Sequence, residues 1–381
     1  MNELIKKMII FLFRMMPLRN EIILESHPDF SDNTYALYEY FLQQGVNKRY
    51  RIHWALHYAN QRIPQLPKNV DTFYLDASGF KNMWNRFRAL YCSRYILDSN
   101  SYIVKRRKGQ IRLHLGHGML IKITEEYHNA ERMGECDGYL VTSPFWNDVL
   151  EKKVGVKRSR LLPLGYPRND VLTDEAKKKN AFGKYIVWMP TFRQHKKDES
   201  ISLNVRYPYG MPEIMNKEQL NELDEYLQKE DTKLYFRPHP AQDLSFLKEK
   251  TLQRIIVADD DFLKNNKITL YELLAASKGL ITDYSSVYFD FLLTEKPIGL
   301  TMGDREEYFA KYGCAFKDVT KELEGVFIES YEELMGFVKD IVENENNPSE
   351  EYLLMRDKCH SVQDGTSAQK IYEYLTKKYG L

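Results

Sequence analysis

At 381 residues and 43% hydrophobic composition, the chain is long enough for two domains of ordinary size, each with a core of its own. Its 55 basic and 54 acidic side chains leave a net charge of +1, without the basic excess of a general nucleic-acid binder. Cys92, Cys136, Cys314 and Cys359 stand far apart with no CxxC pair, a pattern of free thiols in a reducing cytosol rather than of a disulfide frame or zinc site.

Residues 1–18 differ from the rest. On a helical wheel Leu4, Ile5, Met8, Phe11, Leu12 and Met15 share one face, and Lys6, Lys7 and Arg14 lie opposite. The unbroken apolar run, 8–13, is far short of the roughly 20 residues a spanning helix needs. No small-residue cleavage site follows it, which argues against a signal peptide. Two readings stand: an interfacial helix on an anionic membrane, or a terminal helix docked on the core or on a second copy.

From residue 20 the pattern alternates. Residues 21–25, 51–57, 71–75, 95–98, 111–115, 138–142 and 161–164 read as strands. Residues 33–44, with Asp32 as cap, 80–90 and 144–153 read as helices between them. The charged stretch 173–180 is a domain boundary in this reading, dividing 19–175 from 176–381. A second set follows, with strands at 185–189, 233–236, 254–257, 280–282 and 298–301 and helices at 270–277, 287–293 and 331–343. Strand–helix alternation in both halves predicts two Rossmann-like α/β domains facing across a cleft, with ligands beyond the carboxyl ends of the strands.

The loops in those places carry the unusual residues. Gly116-His117-Gly118 lets backbone approach a ligand and leaves an uncrowded imidazole, a side chain suited to general-base work near neutral pH. Gly165-Tyr-Pro-Arg168-Asn169-Asp170, Pro190-Thr-Phe-Arg193 and Arg237-Pro-His239-Pro240 follow other strands. Between the 280–282 strand and the next helix lie Thr282, Asp283, Ser285 and Ser286. Small hydroxyl residues there serve either as helix caps or as a phosphate seat without a Walker-type loop. There is no HExxH, clustered Cys/His set or GxSxG, so neither a metal nor a cofactor is called for. Asp259-Asp260-Asp261 reads as a solvated turn, and Lys105-Arg-Arg-Lys108 as an exposed turn or an anion contact.

Taken in order, these loops resemble the CDP-glycerol glycerophosphotransferase family of teichoic-acid primases and polymerases. The likeness rests on Asp32-Asn33, the two histidine loops, the 165–170 and 190–193 loops, Thr282-Asp-Tyr-Ser-Ser286 with Asp290, and Asp364-Gly-Thr-Ser367. It departs after the first histidine loop, where Met119-Leu-Ile-Lys122 replaces a Thr-Pro-Leu-Lys-like segment and only the lysine remains.

The resemblance implies a GT-B-like fold and a peripheral enzyme on the cytoplasmic face of the cell membrane. Its donor would be CDP-glycerol or CDP-ribitol, and its acceptor lipid-linked. His117 would be the general base, and His239 would contact the pyrophosphate or assist departure of CMP. Ser285 and Ser286 would hold the diphosphate, Arg193 and Arg237 would supply positive charge, and Ser367 would close the nucleotide pocket or merely cap the last helix. A GT-B glycosyltransferase with a nucleotide-sugar donor and a catalytically silent scaffold are the alternatives. Glycerol against ribitol, primase against polymerase, the identity of the acceptor, the need for a divalent cation and the oligomeric state stay open.

Overall fold

The computed structural model describes residues 3–58, 63–76, 78–122, 135–174, 182–193, 202–203, 207–238, 252–344 and 347–381. Two parallel sheets organise the chain. The first runs β3 (Val70–Tyr74), β2 (Arg51–Leu56), β1 (Arg19–Glu25), β4 (Ser93–Asp98), β5 (Ile111–His114), β6 (Gly138–Leu140) and β7 (Leu161–Leu162). The second runs β10 (Ile255–Val257), β9 (Thr232–Phe236), β8 (Lys184–Met189), β11 (Leu280–Thr282), β12 (Ile298–Thr301) and β13 (Val326–Ile328). In both, strand order reverses beside the first strand of the set, between β1 and β4 and between β8 and β11, and such reversal points place the flanking loops around a ligand crevice.

The strands are apolar because both faces are covered. Ile22, Ile23 and Leu24 of β1 and Ile186, Val187 and Trp188 of β8 are all fully buried. The second core gathers Trp188, Phe236 and Ile281 from strands with Leu223 from the Lys217–Lys229 helix and Phe337 and Ile341 from the Tyr331–Glu343 helix. Several helices are shorter or less regular than the periodicity predicts. Residues 144–154 form consecutive 3-10, α and π turns, and the Val287–Phe291 helix finishes as a 3-10 turn at Leu292–Thr294.

The chain divides into two compact units, and the division differs from the one expected at 175/176. One unit holds residues 1–117, 127–170 and 361–381; the other holds 118–126 and 171–360. The terminal Ser367–Tyr379 helix therefore belongs with the first sheet rather than with residues 176–360. Asp170 Oδ1 and Oδ2 accept from the Ser367 and Ala368 amides at 2.9 Å each, and Tyr95 and Tyr50 donate to Tyr379 O and Gly380 O. Gly165 sits under this helix start at φ +76°, where a Cβ would lie 2.4 Å from Ser367 Oγ.

The Glu3–Met15 helix has two apolar faces. Ile9 and Phe13 are buried in the first core with Phe87, Leu90 and Ile96 from the Phe80–Cys92 helix and β4. Met8, Phe11, Leu12 and Met15 are 55–73% exposed. Arg107 fastens the end of the helix by donating to Phe13 O and Met16 O, and Lys105 pairs with Asp137, so half of the 105–108 basic run is engaged within the fold.

Candidate active site

In the first unit the site is built where β1 and β5 end. β5 delivers Leu115, then Gly116 at φ +74°, where a Cβ would fall 2.6 Å from the Tyr166 hydroxyl. The next residue, His117, projects outward with 64% of its side chain exposed. Its Nδ1 lies 2.5 Å from Asp32 Oδ2. Asp32 begins the Asp32–Gln43 helix at φ +61°, a left-handed conformation that aspartate tolerates better than most residues. That backbone geometry aims its carboxylate at the histidine instead of at the helix amides two and three residues on. The expected capping role of Asp32 thus reduces to one local bond from Asn33 N at 2.7 Å.

Arg168 completes the group. Its Nη1 donates to Asp32 Oδ1 at 2.5 Å and to His117 O at 3.0 Å. Asn33 ties the loops together, donating from Nδ2 to Leu115 O and Gly116 O at 3.1 Å each and accepting from Arg168 N. Burial would raise the Asp32 pKa, but the charges of Arg168 and His117 outweigh it and hold the carboxyl well below the usual aspartate range. An ionised Asp32 keeps a proton on His117 Nδ1 and leaves Nε2 open to take one. Asn169, next to Arg168, is buried in the same 3-10 segment, Pro167–Thr173.

In the second unit the expected phosphate set separates into scaffold and open groups. Arg193 is buried, donating to Asp283 Oδ2 at 2.6 Å and to Asp304 Oδ2 and Oδ1 at 2.7 and 3.0 Å. Burial opposes its charge, yet the two carboxylates hold its pKa well above the ordinary arginine value. With both carboxylates in place Arg193 has little charge to offer a phosphate, and its expected role is corrected to that of a loop organiser. Asp283 also accepts from Thr191 N, and Thr282 Oγ1 donates to Met189 O, so these two expected binders fasten the loop after β11 to the loop after β8. Tyr284 donates to Asp304 and stacks on Tyr308 at 3.7 Å.

Lys122 reaches the same network. Its Nζ donates to the Tyr308 hydroxyl at 3.1 Å, and burial lowers its pKa. Arg237 is engaged by Ala258 O and by Asp260 at 2.6 Å. The neighbouring acidic run is a helix start rather than a turn, with Asp259 capping Phe262 N. Ser285 and Ser286 are partly exposed, as is Arg237. Ser285 Oγ accepts a long 3.4 Å bond from Val287 N, and Ser286 makes no side-chain cap bond, so simple capping does not account for the pair. Gly118 has φ +150°. His239 lies outside the described residues. Ser367 is buried under Gly165, with its amide donating to Asp170.

The family profile described as CDP-Glycerol:Poly(glycerophosphate) glycerophosphotransferase matches residues 8–377. The chain belongs to that family. It is a transferase enzyme of the glycerophosphotransferase class. The teichoic acid glycerol-phosphate transferase of Staphylococcus aureus is 26% identical over 96% of this chain and 95% of its own length. The teichoic acid poly(glycerol phosphate) polymerase of Bacillus spizizenii is 25% identical over 98% and 97%. Ribitol-phosphate polymerases occur at lower identity, 23% for TarL of S. aureus. Among solved structures, the wall teichoic acid polymerase TagF superposes with a TM-score of 0.76 over 98% of this chain and 93% of that one, at 19% identity, which establishes a GT-B-like fold.

Sequence reasoning did not assign three residues of these sites a place in the chemistry. Asp32 was legible as part of an Asp-Asn motif and as a cap, but not as the histidine's partner. Asp304 carries no local signal, and Lys122 stood out only as the remnant of a family segment.

Proposed function

We propose that the chain transfers glycerol phosphate from CDP-glycerol to a hydroxyl of a lipid-linked saccharide or polyol-phosphate chain, releasing CMP. The observation that carries this is the exposed His117 held at Nδ1 by the ionised Asp32. The acceptor hydroxyl gives its proton to His117 Nε2 while its oxygen bonds to the polyol-bearing phosphorus. The bond from that phosphorus to the bridging oxygen breaks, and CMP leaves with the electron pair. Such a transfer relies on positioning and charge stabilisation more than on covalent catalysis. Ser285 and Ser286 hydrogen-bond the diphosphate, and His239 assists CMP departure.

CMP release with CDP-glycerol, CDP-ribitol and UDP-sugars as donors tests the reading. CDP-glycerol is expected to be the best donor; a UDP-sugar preference would restore the glycosyltransferase alternative. CDP-ribitol is the second donor to weigh, because ribitol-phosphate polymerases are relatives. In the same assay the S285A/S286A double variant is expected to raise the KM for CDP-glycerol tenfold or more. Each lost bond to a charged group costs roughly 1.5–3 kcal/mol. An unchanged KM would return both serines to capping.

The exposed face of the Glu3–Met15 helix supports peripheral attachment to the cytoplasmic membrane surface. No helix among the described residues is long and apolar enough to cross a bilayer. Met8, Phe11, Leu12 and Met15 enter the acyl boundary in this reading, while the exposed Lys7 and Arg14 meet anionic head groups at about 1 kcal/mol each. Deleting the helix would also remove Ile9 and Phe13 from the core, at roughly 1.5–3 kcal/mol apiece, so substitution is the cleaner test. F11D/L12D is expected to abolish co-sedimentation with anionic liposomes while leaving thermal stability unchanged. Equal sedimentation of variant and wild type would reject the anchor.

A further inference from the structure

Beside His117, at the carboxyl ends of β1, β2 and β4, four aromatic side chains form a hydrogen-bonded cluster that the mechanism above does not use. His57 Nε2 lies 3.0 Å from Oε1 of the fully buried Glu25, and the His57 amide donates to both Asp29 oxygens at 3.0 Å. The His27 amide donates to Asn100 Oδ1 at 2.8 Å, and the Tyr58 hydroxyl meets His27 Nε2 at 2.7 Å. The rings pack against one another, with His57–Tyr102 centroids 4.4 Å apart at 71° and His27–His57 centroids 5.1 Å apart at 86°.

Tyr58 and Tyr102 nevertheless keep half of their surface open, at 50% and 49%. Tyr102 is presented by Ser101, a non-glycine residue at φ +61° whose hydroxyl is held by Arg112 Nη2 at 3.0 Å. Left-handed backbone at such a residue persists only where the surroundings enforce it, and it concentrates at functional positions.

The cluster is joined to the base. The β1-to-helix loop that carries His27 and Asp29 also carries Asp32, the partner of His117. His27 and His117 are close enough for their charges to oppose one another; burial, His57 and His117 together hold the His27 imidazole below its ordinary pKa. Half-exposed tyrosine rings packed on imidazoles suit a sugar ring, whose C–H face stacks and whose hydroxyls hydrogen-bond. The Asp29 carboxylate beside the rings would repel a phosphodiester chain.

We infer that His27, His57, Tyr58 and Tyr102 form the acceptor subsite beside His117 and that it takes a saccharide ring rather than a polyol-phosphate unit. This rests on the proposed transfer and narrows its acceptor.

The test compares two synthetic acceptors on the same alkyl chain, a disaccharide and a tri(glycerol phosphate), with CDP-glycerol as donor. Wild type is expected to use the disaccharide. Y102A is expected to raise its KM tenfold or more, with kcat within threefold and the KM for CDP-glycerol unchanged, and Y102F to restore it. Elongation of the tri(glycerol phosphate) alone would overturn the subsite while leaving the donor reading intact, as would a Y102A effect confined to CDP-glycerol. Saturation-transfer NMR of the alkyl disaccharide, run without donor, gives an independent readout. Binding lost in Y102A supports the subsite even if CDP-glycerol proves the wrong donor, and equal or absent binding in both proteins overturns it.

Discussion

Replacing His117 with alanine is expected to lower CMP release by about 10²–10⁴-fold, the usual contribution of a general base. The side chain is mostly exposed, so its removal leaves no cavity and the melting temperature should hold. In the proposed transfer the imidazole takes the acceptor proton and has no part in donor binding, so the loss should fall on kcat. Near-normal turnover in a folded H117A protein would remove this residue from the chemistry and leave Asp32 and Arg168 as a structural ion pair.

Asp32→Asn is expected to lower turnover by roughly 10²-fold or more, although the new side chain is isosteric. An amide can turn its NH2 toward His117 Nδ1, which then accepts, and the ring proton moves to Nε2, where a base must be bare. As a positioning effect this changes the pH profile of kcat and leaves the KM for CDP-glycerol alone, whereas a purely structural loss would leave the shape of the profile unchanged. Stability should respond too. The depressed Asp32 pKa makes its stabilising contribution fully present above the ordinary aspartate pKa near ~3.9, and that contribution is lost as pH falls through the lower folded value. Thermal melts of wild type should therefore show an acid-side loss that D32N flattens. Coincident acid limbs would mean that the Asp32 carboxylate is not linked to folding.

Much of this was legible in the chain itself. A strand buried on both faces must be apolar along its length, so β1, β2, β4, β8 and β11 announce themselves as short apolar runs, and their alternation with helices implies parallel sheets. Because ligands gather at the carboxyl ends of such strands, the glycine-flanked His117 and the Thr282-Asp-Tyr-Ser-Ser286 loop could be singled out by position alone. The edge strand β13, Val326–Ile328, was not read from the sequence.

What the sequence could not settle was how charges and faces are partnered, because local pattern records periodicity and turn chemistry but not which distant groups meet. Asp32 and His117 are 85 residues apart, Arg193 and Asp304 are 111 apart, and Asp170 lies 197 residues before the helix amide it caps. Those pairings give Asp32 to His117, make Arg193 a buried brace between two carboxylates, and place the start of the last helix within the first unit. The first helix obeys the same distinction. Its amphipathic pattern is set by sequence, but only packing against Phe87 and its neighbours decides that Ile9 and Phe13 enter the core while Phe11 and Leu12 stay outside.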